Sequence, residues 1–321
     1  MSYVHEEMLV VPGGVSTIGF KEFANRKDIT SVTFPNTLRV VGNSAFLGCR
    51  RLTSVTLPES VTAIGNRAFY KCHGLTSINL PNNLIRLGTN AFSECSALLC
   101  IALPDTLTEV KYAFYRCSGL VSVKLPVSLE RIGNNAFCRC NRLMSITLPN
   151  DLKSIGEYTF HKCAGLMSIT LPDSITAIDG YAFSHCTGLT AIKFSNGLRR
   201  LGENAFAKCN SLTSLALPDS LESFGLRAFG FCTGLESVVF RPRVPAPFIV
   251  WALGNMRNRA NWELTTLQHS RNILCMITAL ALEGRDFTSV GNRVFIGCLK
   301  LQNKGPVVDK STFGVYTSYY Y

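Results

Sequence analysis

The chain has 321 residues, of which 47% are hydrophobic and 17% charged, and 32 Lys and Arg outweigh 21 Asp and Glu to give a net charge of +11. That apolar content excludes a disordered chain, and no uninterrupted apolar run reaches the roughly 18 residues of a membrane-spanning helix. The charge points to anionic partners.

One unit recurs about every 23 residues, and its clearest copy is Leu52 to Cys72, LTSVTLPESVTAIGNRAFYKC. The opening segment, MSYVHEEMLVVPGG, has no basic stretch followed by a long apolar one and does not read as a signal peptide. An intracellular, cytoplasmic location is therefore expected. Residues 6–28 form a worn first copy: Val11, Pro12, Val15, Ile18 and Gly19 keep the pattern, whereas Glu6 replaces its leading leucine and Arg26 its cysteine. A terminal repeat must present a polar outer face, so wear is expected there.

Clean copies follow to Gly234. Each opens on a short strand such as Leu75 to Leu80, whose Leu75, Ile78 and Leu80 should point inward. Proline ends the strand, as at Pro58, Pro81, Pro104 and Pro149, because it has no N–H for a ladder. A second extended segment such as Val61–Ile64 comes next. Glycine (Gly42, Gly65, Gly88, Gly133, Gly156, Gly202 and Gly225) is expected to supply a sharp turn, and a single helical or 3₁₀ turn to carry the Ala-Phe pair inward. The phenylalanines recur at Phe46, Phe69, Phe92, Phe114, Phe137, Phe160, Phe183, Phe206 and Phe229, with Phe23 one period earlier. One glycine is missing between Val110 and Lys111, where the spacing drops to 22. At Ile178-Asp179-Gly180 the glycine has moved on by one place, and Asp should tolerate a left-handed backbone there.

Nine of the 13 cysteines, Cys49 to Cys232, each follow a repeat phenylalanine by three residues. One cysteine per coil in a fixed register reads as a ladder of buried thiols acting as small hydrophobes. At one strand spacing, roughly 4.8 Å, disulfides between coils stay open on distance. No C-x-x-C pair or recurrent histidine supports a metal.

Past Phe240 the pattern lapses. Arg241 to Pro247 reads as a break, and residues 248–283 have helical spacing at Trp262, Leu267, Leu274, Ile277 and Leu280. A partial copy returns around Val290 to Cys298, and a tail ends in three tyrosines. The expected organisation is a solenoid over 1–240, a helical cap or insertion over 241–287, a residual repeat over 288–304 and a flexible tail over 305–321. Within the second segment, either the apolar residues cap the solenoid end or Arg257, Arg259 and Arg271 bind a partner.

The unit L-x-S-[VI]-x-L-P-x-x-[LV]-x-x-I-G-x-x-A-F-x-x-C resembles the BspA-like class of leucine-rich repeats. The resemblance implies a leucine-rich-repeat solenoid, and the expected fold is α/β, mainly β: a right-handed solenoid of about ten coils, with the C-terminal helical capping segment read from the spacing over 248–283 rather than from the repeat. The resemblance also implies a protein-binding, adhesive or cell-surface role without catalytic residues.

Two surfaces are candidates for function. Solvent-facing strand positions carry Ser54, Thr56, Ser77, Asn79, Ser122, Lys124, Ser145, Thr147, Ser168 and Thr170. They either solubilise the sheet or form a binding surface of many shallow contacts. Two residues after the phenylalanines come Lys71, Glu94, Arg116, Arg139, Lys162, His185 and Lys208. Stacked coils make this a basic stripe, interrupted by Glu94, which either compensates helix C-termini or attracts an acidic protein, a polyanionic glycan or lipid headgroups. The stripe has no interleaved aromatics, so nucleic acid is not expected. The five histidines form no catalytic group with a recurrent nucleophile, so no enzyme, cofactor or metal site is expected. The anticipated partner is a protein and the chain a monomer, with a surface adhesin as the alternative class.

Overall fold

The structure, a computed structural model, describes residues 4–5 and 7–240. They form a mainly β, parallel solenoid of about eight regular turns without a helix. The segments expected at 241–287, 288–304 and 305–321 lie outside the described residues.

Most coils contribute a three- or four-residue strand to a first ladder, which is hydrogen-bonded in four separate runs, and a two-residue strand to a second, which is bonded in two. In the first ladder Ser54–Thr56 pairs in parallel with Ser31–Thr33 on one side and Ser77–Asn79 on the other. In the second, Ala63–Ile64 lies between Val40–Val41 and Arg86–Leu87. Pairing one coil with the next in constant register keeps Val55 and Ile78 facing the core and their neighbours facing water. The coil through Ser145 and Thr147 follows the same path without strand pairing in the first ladder. At the N-terminal edge Val4–His5 folds back antiparallel onto Met8–Val10. A short antiparallel strand at this edge covers hydrogen-bonding groups that would otherwise template another chain.

The core is a set of columns. Ten phenylalanines, Phe23 to Phe229, stack ring on ring with centroids 4.9 to 5.7 Å apart. Phe46 through Phe229 are wholly buried. The column runs unbroken through the 22-residue copy: Phe92 and Phe114 stand 5.7 Å apart and 10° from parallel. Both strand ladders keep their register there too, because the deletion falls at the corner between them.

Three local expectations are corrected. The Ala-Phe segment is not a helical turn. Residues two before and two after each phenylalanine take left-handed φ, for instance Arg67 at 55° and Lys71 at 62°. Left-handed backbone costs a non-glycine residue roughly 1–2 kcal/mol, and a hydrogen bond to the next coil offsets it. Arg67 N–H donates to Thr89 O at 3.0 Å, Phe69 N–H to Ala91 O at 2.8 Å and Lys71 N–H to Ser93 O at 3.0 Å. The intervening amides close local turns instead, as Ala68 N–H does to Gly65 O at 3.3 Å.

The corner glycines are needed for space rather than for φ. A Cβ on Gly88 would lie 2.4 Å from both Asn66 N and Gly65 C of the preceding coil. Among the described residues only Gly14 and Gly48 are glycines with positive φ. Asp179, too, uses no left-handed conformation; its N–H donates to Ile155 O at 2.9 Å, as Gly156 N–H does to Ile132 O.

The cysteines are more than small hydrophobes. All nine ladder cysteines are buried, and Cys49 to Cys209 of the ladder are free thiols. Each donates to the carbonyl of the phenylalanine in the preceding coil, from Cys49 Sγ to Phe23 O at 3.0 Å to Cys232 Sγ to Phe206 O at 3.1 Å. The bond requires the protonated thiol, and burial secures it: Cys117 is pushed up to about 12 and Cys95 well above the usual thiol value.

Candidate functional site

The strand-bearing side of the solenoid displays the residues selected from the sequence. Ser54, Thr56, Ser77, Asn79, Ser122, Lys124, Ser145, Thr147, Ser168 and Thr170 are all exposed. Buried neighbours such as Val55, Val123 and Ile169 hold each pair outward, as the two-residue strand period requires. One coil step sets their spacing, so the surface is a regular grid of small polar groups.

Coil stacking also assembles the basic column. Lys71, Arg116, Arg139, Lys162, His185 and Lys208 share φ values of 60° to 64°, and their N–H groups bond the next coil at 2.7 to 3.0 Å. Identical backbone conformation at each step launches the six side chains in one direction. Compensation of helix C-termini does not explain them, because the described residues contain no helix. Glu94 does more than interrupt the column: it accepts from Tyr70 Oη at 3.0 Å and pairs with Arg116 Nη1 at 3.8 Å. The positive run therefore starts beyond it.

The histidines in this run register its potential. Burial lowers the pKa of His185, and Lys208 and Lys162 on either side lower it further. His161, one residue before the column, is held at about 4 by burial, then by His185, Lys162 and Arg139. Its Nδ1 is buried without a hydrogen-bond partner, and its ring meets that of His185 edge-on at 5.2 Å. A neutral imidazole is what a desolvated site surrounded by cations favours.

The sequence reading missed a third column. The residue just before each first-ladder strand is Thr53, Thr76, Leu99, Val121, Met144, Met167 and Thr190 in successive coils. The threonine hydroxyls bond backwards: Thr53 to Thr30 O at 3.1 Å, Thr76 to Thr53 O at 2.9 Å and Thr190 to Met167 O at 3.0 Å. In four consecutive coils an apolar side chain replaces that hydroxyl. Leu99, Met144 and Met167 are 47%, 49% and 59% exposed. The signal was a substitution pattern in one column, visible only when the copies are compared position by position.

A shallow depression of about 330 Å³ is lined by Phe20, Asn43, Ser44, Asn66, Arg67, Thr89 and Asn90. Its asparagine oxygens accept from the next coil, Asn43 from Asn66 N–H at 2.8 Å and Asn66 from Thr89 N–H at 2.9 Å. Among the described residues no His, Cys, Asp or Glu cluster could hold a metal ion, and no helix is long and apolar enough to cross a membrane.

Known proteins share this architecture. A leucine-rich-repeat protein from Bacteroides ovatus is similar, at 27% identity over 74% of each chain, with a TM-score of 0.56. The pneumococcal vaccine antigen PcpA shares the fold at 20% identity, over 74% of this chain and 63% of its own, with a TM-score of 0.51. A leucine-rich cell surface protein from Faecalibacterium prausnitzii aligns at 25% identity over 75% of this chain and 83% of its own, with a TM-score of 0.49. No curated protein matches the sequence. The family model for the BspA type leucine-rich repeat region matches in 6 copies, over residues 16–143 and 110–236. Those stretches take in every Phe–Cys coil described above, and the chain belongs to the BspA-type leucine-rich-repeat family.

Proposed function

We propose that this protein is a non-enzymatic interaction module that presents one side of its solenoid to a protein partner. The observation carrying this reading is the division of labour within each coil. Phenylalanine, leucine and cysteine columns, with their backbone and thiol hydrogen bonds, account for the fold. The strand grid from Ser54 to Thr170 is exposed, and in the basic column Arg116 and Lys208 are exposed while Lys71, Arg139, Lys162 and His185 are half-buried, which leaves both sets available to a partner. A repeat array suits this role because contacts too weak singly add up along a continuous surface.

The coil count that includes the worn first copy is about ten. Residues 248–283, outside the described residues, are read as a cap over the solenoid end because their sequence is rich in spaced apolar residues. The PcpA antigen is a pneumococcal vaccine antigen and the Faecalibacterium relative a cell surface protein, which supports cell-surface attachment as the second reading. Protease treatment of intact source cells separates the two: digestion of the chain supports the surface role, and complete protection supports an internal one.

The binding reading is tested by retention of proteins from a source-cell extract on the immobilised full chain. A specific partner should be retained, and should be lost when Arg139→Glu and Lys162→Glu are combined or when Ser145→Glu and Ser168→Glu are. Retention of nothing, or of a partner indifferent to both pairs, overturns it.

A further inference from the structure

Charge and apolar surface coincide on one half of the middle coils. From each phenylalanine to the end of the following strand, residues 94–103, 115–125, 138–148, 161–171 and 184–194 carry Arg116, Lys124, Arg139, Arg142, Lys162 and Lys193. The one acid among them is Glu94, already engaged by Tyr70 and Arg116. The other half of the same coils, residues 104–114, 126–137, 149–160 and 172–183, carries seven Asp and Glu against three Lys and Arg. Among the described residues, Lys124, Arg139, Arg142, Lys162 and Lys193 make no ion pair. The stripe Leu99, Val121, Met144 and Met167 crosses this basic half, and each of its members follows a residue of the charged column by five positions.

From this coincidence we infer that the half-coil surface around Met144 and Met167 docks an acidic protein segment that also carries apolar side chains. The inference rests on the protein-binding reading above and gives that partner a chemistry. Two physical arguments support it. First, four coils give up a hydroxyl-to-carbonyl bond made at this position by Thr53, Thr76 and Thr190; the apolar groups that replace it are exposed at Leu99, Met144 and Met167 and half-buried at Val121. An exposed contiguous apolar stripe with charged margins marks an interaction surface, and methionine adapts to varied apolar partners. Second, unpaired cations on both margins steer and align an anionic chain. A polyanionic glycan would match the charges and leave the stripe uncovered. A second copy would bring the same unpaired cations to its own basic half.

The test selects binders to the full chain from a display library of random 16-residue peptides. Each selected peptide is then measured against wild type and against a double variant, Met144→Thr with Met167→Thr. Threonine is the residue of neighbouring coils at this position, so the variant should keep its melting temperature. The inference predicts peptides rich in Asp and Glu interspersed with Leu, Ile or Phe. They should bind at least tenfold more weakly to the double variant and to Arg139→Glu with Lys162→Glu. Poly-glutamate of equal length should bind more weakly than the peptides and be indifferent to the methionine change.

Selected peptides without acidic character, or equal affinity for wild type and the double variant, overturn the inference. So does binding to phosphatidylserine vesicles that depends on Met144 and Met167, which would mark a lipid surface, or dimerisation abolished by the double variant, which would mark a self-interface. If a protein is retained from extract through Ser145 and Ser168 while the methionine variant binds it normally, this inference falls and the binding reading stands.

Discussion

Replacing Phe137 with alanine strikes the core where it is least able to relax. The ring is wholly buried and sits between Phe114 at 5.5 Å and Phe160 at 5.7 Å, within 2° and 9° of parallel. Its segment cannot easily collapse into the gap, because Phe137 N–H is tied to Thr159 O at 2.9 Å and its carbonyl accepts the Cys163 thiol at 3.1 Å. Buried Phe→Ala changes cost about 3–5 kcal/mol, and a site held on both sides belongs in the upper part of that range, about 4–5 kcal/mol. For a protein of this size each kcal/mol moves the melting temperature by roughly 2–4 °C, so a fall of about 8–20 °C is expected. In urea, losing one inter-coil contact set should also lower cooperativity, because each repeat is coupled only to its neighbours. Phe23, half-buried at the end of the column and stacked on one side only, should cost less when changed. A Phe137→Ala protein with the wild-type melting temperature and urea midpoint would refute the stacked-column account.

The remaining predictions concern thiols, corners and pH. Alkylation of the native protein should label Cys100 rapidly and leave Cys49 to Cys232 of the ladder unreacted, since Cys100 is exposed and the ladder thiols are buried donors, with pKa raised by burial from Cys49 to Cys209; rapid labelling of several ladder positions sinks this idea. Gly88→Ala should destabilise by about 1–3 kcal/mol, the usual range for overpacking, whereas Gly133→Ala should cost less. The added Cβ at Gly133 meets mainly the Lys111 side chain at 3.1 Å rather than backbone at 2.4 Å, and equal melting temperatures for the two variants would contradict this. His161 has its pKa lowered to about 4 from the usual 6.5, so between those values the unfolded chain binds more protons than the folded one. Its contribution to stability is complete above pH 6.5 and is lost as pH falls towards 4. The drop in urea midpoint between pH 7 and pH 4.5 should therefore be smaller in His161→Leu than in wild type, and an unchanged drop counts against it.

The columns that build the core were legible because each is one residue type recurring at one position. Phe46 to Phe229, Cys49 to Cys232 and leucines such as Leu52 and Leu75 announce burial directly. Backbone geometry was less legible. Lys71, Arg139 and Lys162 carry no sign of a left-handed φ, since the bond that sustains it comes from a carbonyl 22 residues later. Gly65 and Gly88 are conspicuous in the sequence, but the reason for them, the backbone of the preceding coil, is a tertiary fact. The outward positions follow from strand alternation, as at Ser54 and Thr56 on either side of buried Val55. The stripe from Leu99 to Met167 lies one residue outside that alternation and went unseen.

The central claim is that one side of the solenoid, and not the other, receives a protein partner. Hydroxyl-radical footprinting of the full chain with the partner retained from extract addresses it side chain by side chain. Leu99, Met144 and Met167 report on the strand-bearing side, and Ile85 and Val127, each 69% exposed, on the other. The account predicts that oxidation of Leu99, Met144 and Met167 falls severalfold in the complex while Ile85 and Val127 stay as reactive as in the free chain. Protection of Ile85 and Val127 with Met144 and Met167 unchanged would contradict it.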